Sequence, residues 1–255
     1  MWKYIYGPVS SFRLGSSLGI DLLSQAQKIC TFDCIYCQLG KTLTYTRKRR
    51  LYIPTSKIIE ELEMLPKIQI DHITLSGMGE PILAENLGEV IKAIKMVRKE
   101  PVAVLTNSSL MDKEDVREEL SAADFVVAKL DTYSQRSLEL INRPILGIKF
   151  REIFNGLKQF RKEYGGKLAL QIMFIAQNRE CISKLADLSR EIEPNEVQID
   201  TPLRPCGVKP LSREEIFRIK EYFKGMKIVS VYDAEGKEVS PISQEDTLKR
   251  RGKVI

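Results

Sequence analysis

Six short apolar stretches alternate along the chain with segments of helical periodicity. The apolar stretches are rich in Val, Ile and Leu, as buried parallel strands are, and they predict strands at residues 18–23, 72–77, 102–107, 125–131, 168–175 and 196–201. Apolar residues recur at helical spacing in residues 56–65 and again from Leu83 onward. Ser212 and Glu215 have the spacing of a capping box, and Gly225 marks the predicted end of that helix.

This alternation predicts an α/β fold. Six strand–helix units imply a parallel sheet with right-handed crossovers. Six units are too few for a closed eight-fold barrel, so we expect an open or partial barrel with its site at the carboxyl ends of the strands. The periodicity ends near Ala234, and residues 234–255 are expected to form a polar, basic tail or appendage.

Composition narrows the class of protein. Of the 255 residues 43% are hydrophobic and 29% charged, which is enough apolar material for a core. No apolar run approaches the ~18 residues of a membrane span, and the first residues lack a signal-peptide pattern. We therefore expect a cytoplasmic protein without a membrane partner. The net charge of +6 permits nucleic-acid contact without indicating it, and the single histidine, His72, argues against histidine-based chemistry.

Three of the five cysteines, Cys30, Cys34 and Cys37, lie within eight positions. Such clustering in a chain of this size indicates a metal site or catalysis rather than disulfides. Thiolates at this spacing suit an iron–sulfur cluster or zinc. A closed zinc site needs four ligands, and Cys181 and Cys206 are distant in sequence. Free thiols that merely cluster are the alternative, and Cys181 is expected on a helix as a buried apolar residue.

The spacing C-x3-C-x2-C with an aromatic residue, Tyr36, before the last cysteine resembles the signature of the radical S-adenosylmethionine (radical SAM) superfamily. The resemblance covers residues 6–204. Segments such as Tyr-Gly-Pro-Val-Ser-Ser, Cys-Ile-Tyr-Cys-Gln-Leu-Gly and Thr-Pro-Leu-Arg-Pro resemble an archaeal and bacterial branch grouped near the wyosine-tRNA synthases. The resemblance implies a partial (β/α)6 barrel with parallel strands, here over residues 1–233, in agreement with the strand count.

The resemblance also implies cofactors and chemistry. In the superfamily three thiolates hold a [4Fe–4S] cluster, and SAM chelates the fourth iron. The reduced cluster cleaves SAM to methionine and a 5′-deoxyadenosyl radical, which abstracts hydrogen from the substrate. By this resemblance Cys30, Cys34 and Cys37 are the metal ligands of an oxygen-sensitive enzyme, and an electron donor of the flavodoxin or ferredoxin type is a partner. A metal-binding module without catalysis is the alternative class.

The run Ser-Gly-Met-Gly-Glu-Pro at residues 76–81 follows the second predicted strand. It resembles the superfamily's Gly-Gly-Glu-Pro motif, whose backbone and Glu meet the amino group of SAM. The resemblance places Gly77, Gly79, Glu80 and Pro81 at SAM, although Met78 separates the two glycines. The alternative is that the glycines serve a tight strand–helix turn.

Further SAM contacts are expected at the ends of later strands. Asn107 closes the third predicted strand, where it contacts SAM or makes a turn. Lys129 and Asp131 share a face of the fourth strand and either contact the carboxylate and ribose of SAM or form a structural salt bridge. Their order, Lys-Leu-Asp, reverses the superfamily's Asp-Leu-Lys pattern. Tyr36 completes the implied cofactor-binding set.

Four residues are candidates for substrate contact, and no catalytic residue is assigned. Gln198 and Asp200 share a face of the sixth strand and point into the barrel if the apolar residues beside them face the helices. Arg143 and Arg204 each precede a proline, and an arginine there can hold a carboxylate or phosphate bidentately. Structural or surface use is the alternative for all four.

Two basic stretches bear on the substrate. One comprises Lys41, Arg47, Lys48, Arg49 and Arg50 with Tyr45 and Tyr52, and the other Lys249, Arg250, Arg251 and Lys253. They are solvated faces or a track for an RNA backbone. The first predicted substrate is RNA, through modification of a tRNA base. The second is a protein that receives a radical or a small molecule in cofactor biosynthesis.

Overall fold

The computed structural model describes residues 2–233 and 236–251. Within these ranges the strands are β1 (Ile5–Ser11), β2 (Gly15–Ile20), β3 (Ile29–Cys30), β4 (Thr44–Tyr45), β5 (His72–Leu75), β6 (Val102–Thr106), β7 (Phe125–Lys129), β8 (Lys167–Met173), β9 (Glu196–Asp200) and β10 (Ile228–Ser230). The helices are α1 (Thr55–Glu63), α2 (Leu87–Val97), α3 (Glu114–Leu120), α4 (Gln135–Ile141), α5 (Phe150–Glu163), α6 (Ile182–Ile192), α7 (Arg213–Lys220) and α8 (Gln244–Arg251).

Eight strands form one sheet in the order β1-β2-β5-β6-β7-β8-β9-β10, and β3 pairs with β4 separately. β1 is antiparallel to β2, and the other pairs of the large sheet are parallel. Because the neighbours follow chain order and such crossovers are right-handed, the helices that connect parallel strands lie on one face and the sheet curls around the other. The predicted partial barrel with parallel strands is confirmed.

The helix-covered face of the sheet holds the main core. Leu18 and Ile20 of β2 and Val104 of β6 are fully buried there, together with Val90 of α2 and Leu157 of α5. Burying each such side chain is worth about 1.5–3 kcal/mol. This face therefore provides most of the apolar stabilisation and leaves the concave face free to carry polar side chains.

The concave face is polar toward the carboxyl ends of its strands. The Ser17 and Thr74 hydroxyls lie 2.6 Å apart on neighbouring strands, and the Gln171 amide donates to the Asp200 carboxylate at 2.6 Å. These groups are buried, and each has a hydrogen-bond partner, as buried polar groups require. A polar interior of this kind suits a binding cavity better than a packed core.

The six predicted strands correspond to β2 and β5–β9. The first of them, predicted at 18–23, ends earlier because the Asp21 carboxylate accepts the N–H groups of Leu23 and Ser24 and turns the chain. β1 was not predicted, since Gly7 and Pro8 interrupt its apolar pattern. The helix predicted from Leu83 begins at Leu87 instead, because residues 81–83 form a 3₁₀ turn.

The capping box before α7 is present. The Ser212 hydroxyl accepts the Glu215 N–H at 3.2 Å, and the Glu215 carboxylate accepts the Ser212 N–H at 2.8 Å. Gly225 has a φ of +87°, as a left-handed stop residue should. The α-helix itself ends sooner, at Lys220, and a 3₁₀ turn over Glu221–Phe223 precedes the glycine.

The C-terminal segment, residues 236–251, returns to β1. The Ile242 N–H donates to the Gly7 carbonyl at 2.6 Å, and the Gly7 N–H donates to the Thr247 hydroxyl at 3.0 Å. Arg250 is buried, with its Nε 3.5 Å from Asp21 Oδ2. The division into barrel and appendage stays a prediction, and Lys253 lies outside the described residues. Among those described, no helix has the length and apolar character to cross a membrane.

Gly156 lets α5 approach the loop after β6 closely. A Cβ built on Gly156 would lie 2.4 Å from the Met111 carbonyl carbon and 2.6 Å from the Asp112 nitrogen, both main-chain atoms. We expect Gly156→Ala to lower the free energy of unfolding by about 1–3 kcal/mol, the usual cost of overpacking, as measured by urea titration. Gly165→Ala is the control, because its Cβ would meet nothing within 4 Å. Equal effects of the two substitutions would contradict this packing.

Candidate active site

The three clustered cysteines lie on a loop held at both ends by β3 and β4. Cys30 ends β3, and the chain returns to pair with β3 at Thr44 and Tyr45. Within the loop the Cys37 N–H donates to the Cys34 carbonyl at 3.0 Å. Cys30 is buried, and Cys34 and Cys37 are half-buried. The short loop therefore presents all three thiols with limited access to solvent.

Backbone pairing fastens this loop to the turn after β5. The Ile29 N–H donates to the Met78 carbonyl and the Glu80 N–H to the Ile29 carbonyl, both at 3.1 Å. A Cβ on Gly79 would lie 1.7 Å from the Ile29 oxygen, and one on Gly77 would lie 2.4 Å from the Asp21 carboxyl carbon. Both glycines also have φ near +150°. The tight turn therefore requires glycine at both positions, whatever else they contact.

Each of the three sulfurs accepts a side-chain N–H from a different part of the chain. Lys28 Nζ lies 3.0 Å from Cys37 Sγ, Asn107 Nδ2 lies 3.5 Å from Cys30 Sγ, and Asn142 Nδ2 lies 3.3 Å from Cys34 Sγ. Hydrogen bonds of this kind favour the thiolate and tune a bound iron–sulfur cluster. Lys28 and Asn142 were missed by sequence analysis, because their roles arise only from tertiary contact.

Two of the thiols, those of Cys30 and Cys34, are hard to ionise on their own. Burial, followed by the nearby Glu80 carboxylate, raises the pKa of Cys30 to about 12. Burial also raises the pKa of Cys34 to about 11, against the hydrogen bond from Asn142. A metal that displaces the protons would supply the positive charge that these buried thiolates need. The donor set therefore fits a thiolate-bound metal group.

Within residues 2–233 and 236–251, no group of three or more Cys, His, Asp and Glu side chains is placed to hold one metal ion. In a [4Fe–4S] cluster, each thiolate binds a different iron.

Glu80 ties the glycine turn to the end of β6. Its carboxylate is buried and accepts the Thr106 hydroxyl at 2.6 Å and the Asn107 N–H at 2.7 Å. Burial raises the pKa of Glu80 to about 7, while the hydrogen bond from Thr106 opposes the rise. The adjacent Pro81 begins the 3₁₀ turn. The Asn107 amide also donates to the Thr31 hydroxyl at 2.8 Å, so both residues brace the cysteine loop.

A second network surrounds Asp131 just beyond β7. Its carboxylate accepts the Tyr36 hydroxyl, the Asn142 amide at 3.2 Å and the Met173 N–H at 2.7 Å. Lys129 Nζ lies 3.4 Å from Asp131 Oδ1 and 4.9 Å from the centre of the Tyr36 ring. The salt bridge considered from the sequence is therefore present, and the Lys129 side chain stays 18% exposed.

A cavity of about 520 Å³ opens on the concave side of the sheet and reaches Gln38, the residue after Cys37. Asp200 lines it, with its carboxylate accepting the Gln171 amide and lying 3.2 Å from the Arg13 guanidinium. Gln198 is fully buried beneath and donates to Glu196 at 2.8 Å. The apolar residues beside Gln198 pack on the helices, as expected. Sequence analysis missed Arg13.

The two candidate arginines lie in different places. Arg204 lines the cavity and donates to the main-chain carbonyl of Arg251. Arg143 is exposed and does not line this cavity, although its own carbonyl accepts the Asp33 N–H of the cysteine loop at 3.2 Å. The structure therefore associates Arg204, and not Arg143, with the cavity.

The remaining cysteines lie outside the hydrogen-bond pattern of the loop. Cys206 packs against the apolar cluster of Tyr36, Ile141, Met173 and Ile175, and its thiol faces the Val208 carbonyl at 3.3 Å. Cys181 ends a 3₁₀ helix that leads into α6, as expected of a helical residue, but it is half-buried, so the expectation that it is buried was wrong. The 3₁₀ turn is closed by the Cys181 N–H, which donates to the Asn178 carbonyl at 3.0 Å.

The basic stretch after the cysteine loop is not one surface. Arg49 is turned inward, where it donates to the carbonyls of Ile82 and Ala84 and pairs with Asp115 and Glu119. Other members are exposed, among them Lys41, Lys48 and Arg50. The interpretation of all five charges as solvated or as an RNA track is wrong for Arg49, because two helical carboxylates neutralise it.

The fold and the cysteine loop together define a class of enzyme: a half-barrel of parallel strands with three cysteines after its first parallel strand is typical of radical SAM enzymes. The family model of the Radical SAM superfamily matches residues 25–189, and the chain belongs to this superfamily. Its members use a [4Fe–4S] cluster and SAM. The resemblance drawn from the sequence is confirmed.

The chain is also similar to individual proteins. A UPF0026 protein of Synechocystis sp. is 43% identical over 211 residues, which are 82% of this chain and 78% of that protein. Streptococcus suis SuiB bound to SAM superposes with a TM-score of 0.62 at 18% identity, over 80% of this chain and 48% of SuiB. Archaeal TYW1 gives a TM-score of 0.58 at 17% identity, over 86% of this chain and 74% of TYW1. This chain spans about half the length of SuiB, and these structures share its fold.

Arg49 and Arg50 allow a matched comparison within the basic stretch. We expect Arg49→Gln to lower the free energy of unfolding by about 1.5–3 kcal/mol, because its charged hydrogen bonds are lost and its partners are left unpaired. Arg50→Gln should change it by less than about 0.5 kcal/mol, since this side chain is exposed. Urea titration of both variants checks the difference, and similar values would contradict the inward placement of Arg49.

Proposed function

We propose that Cys30, Cys34 and Cys37 ligate the [4Fe–4S] cluster of this enzyme. The observation that carries the proposal is that each sulfur lies on one short loop and accepts one N–H donor, from Asn107, Asn142 and Lys28 respectively. The Cys206 thiol faces a main-chain carbonyl instead. Three protein ligands leave one iron for SAM.

A [4Fe–4S] cluster held there would supply the electron for cleavage of SAM to methionine and a 5′-deoxyadenosyl radical, the species that would abstract hydrogen from the substrate. We propose an electron donor of the flavodoxin or ferredoxin type as the source of that electron. The cytoplasm is the compartment proposed for the enzyme, because thiols stay reduced there. The protein's own part is to hold SAM and substrate and to exclude water.

The residues proposed to hold SAM border the cysteine loop. Gly77 lines a smaller cavity of about 170 Å³ that continues the larger one, and the turn it shares with Gly79, Glu80 and Pro81 is fastened to the loop. Lys129, beside Tyr36, is the cation proposed for the SAM carboxylate. Three residues are proposed to position the cysteine loop beside SAM: Asn107, Tyr36 and Asp131. Their polar groups already form hydrogen bonds with the loop or with one another.

The cavity favours a small molecule as the substrate. Its volume of about 520 Å³ lies within the usual range of small-molecule sites. RNA and a protein that receives a radical remain the competing substrates. Arg49 does not support RNA as the substrate. Its guanidinium forms salt bridges with Asp115 and Glu119 and is therefore not available to an RNA phosphate.

The ligand set is tested by single substitutions. After anaerobic reconstitution, we expect Cys30→Ala, Cys34→Ala and Cys37→Ala each to lose the visible iron–sulfur absorbance and the bound iron, because each removes one thiolate. Cys181→Ala and Cys206→Ala are the matched controls and should keep both. Loss of the cluster in Cys206→Ala with retention in Cys37→Ala would show that the ligand set is wrong.

Lys167, the first residue of β8, is a matched control for Lys129, the last residue of the neighbouring strand β7. Lys167 Nζ also lies beside a carboxylate and an aromatic ring, 2.8 Å from Glu196 and 4.1 Å from the Phe125 ring centre. We expect Lys129→Met to weaken SAM binding about ten- to a hundred-fold, the effect of losing a charged hydrogen bond. Lys167→Met should leave it unchanged. Calorimetry with oxidised holoprotein measures both.

Unchanged SAM affinity in Lys129→Met, together with a lower stability, would contradict the assignment. In that case Lys129 would serve only to neutralise Asp131.

A further inference from the structure

The cavity beside the cysteine loop is lined by three arginines from distant parts of the chain. Arg13 lies on the turn between β1 and β2, Arg204 follows β9, and Arg251 ends the described part of α8. All three also line the smaller cavity that reaches Gly77. The turn, the loop and the helix therefore bring their cations to one space.

Among the residues that the structure describes, one carboxylate lies in this space. Arg13 pairs with Asp200 at 3.2 Å, but the same carboxylate oxygen already accepts the Gln171 amide at 2.6 Å. Within residues 2–233 and 236–251, Arg204 and Arg251 form no salt bridge, and their hydrogen bonds go to neutral carbonyls. The described cavity thus holds three cations against one carboxylate.

The pKa values of all three arginines are lowered, because the charged guanidinium groups are unfavourable in this space. Burial, then repulsion from Arg251 and Arg13, lowers the pKa of Arg204 to about 10. Burial also lowers the pKa of Arg13 and of Arg251. Partly buried cations without counter-charges are unfavourable unless a ligand supplies the charge. Nε of Arg13 is buried and has no partner among the described residues, so donor capacity remains unused.

We propose that Arg13, Arg204 and Arg251 form a subsite for an anionic group, a phosphate or a carboxylate, on a small-molecule substrate. The inference rests on the proposed function in that it treats the cavity as the substrate site. Arginine presents a planar fork of N–H donors that matches either anion bidentately. In the absence of the anion, the Asp200 carboxylate neutralises one of the three positive charges. When the anion binds, Asp200 competes with it for Arg13.

The test uses holoprotein with its oxidised cluster and saturating SAM. Inorganic phosphate and, separately, succinate are titrated by calorimetry at an ionic strength held constant with chloride. We expect at least one of the two to bind, and the stronger of them identifies the anion. Arg204→Gln and Arg251→Gln should each weaken binding about tenfold or more. Arg151→Gln, on the exposed side of α5, is the control and should bind as wild type does.

An expected increase in anion affinity provides a second, independent test. Asp200→Asn should bind the same anion more tightly, because it removes the competing carboxylate, and a merely structural role would not predict this sign. Arg204→Lys keeps a charge and should lose less affinity than Arg204→Gln. If thermal unfolding shows that Arg204→Gln is defective in folding, Arg204→Lys is used in its place.

The inference is overturned if neither anion binds, if the arginine variants bind as wild type does, or if phosphate competes with SAM. It is also overturned if a tRNA transcript binds with dependence on these arginines while both small anions do not. Formation of 5′-deoxyadenosine by the reduced wild type is measured separately. SAM cleavage without anion binding rejects the subsite alone, and anion binding without SAM cleavage rejects the proposed function alone.

Discussion

The main-chain pairing of Ile29 with the turn after β5 is the constraint on which the rest of the site depends. Two hydrogen bonds at 3.1 Å join Ile29 to Met78 and Glu80, and Gly79 lies so close to the Ile29 carbonyl that no side chain fits there. The cysteine loop is thereby fixed to the carboxyl end of the sheet. Because Cys30 follows Ile29 directly, a shift of this pairing would move the thiols away from their N–H donors.

The order of the strands determines which elements surround the cysteine loop. Successive parallel neighbours place all their crossover helices on one face, and the core lies there. The other face is free to curve around a cavity whose walls come from β1, β9 and the C-terminal helix α8. The cations of the β1–β2 turn, of the loop after β9 and of α8 meet there because the sheet curls. The same curvature brings the cavity to the cysteine loop.

Sequence patterns predicted the features that depend on local order. Strands buried on both faces appear as apolar runs, and the three cysteines appear as a motif because one short loop carries them all. The donors Lys28 and Asn142 and the cation Arg13 could not be found in this way. Asn142 lies 108 residues from the cysteine it contacts, and Arg13 lies 187 residues from Asp200. For the same reason, charge counting could not separate the inward Arg49 from its exposed neighbours.

The central claim is that three thiolates leave one iron of the cluster open to SAM. Electron paramagnetic resonance of the reduced, anaerobically prepared holoprotein tests it most directly, because SAM bound at an iron changes that iron's ligand field. We expect the signal of a reduced [4Fe–4S] cluster, and we expect it to shift when SAM is added. A cluster signal that SAM leaves unchanged, or a protein that takes up one zinc ion in place of iron, would contradict the account.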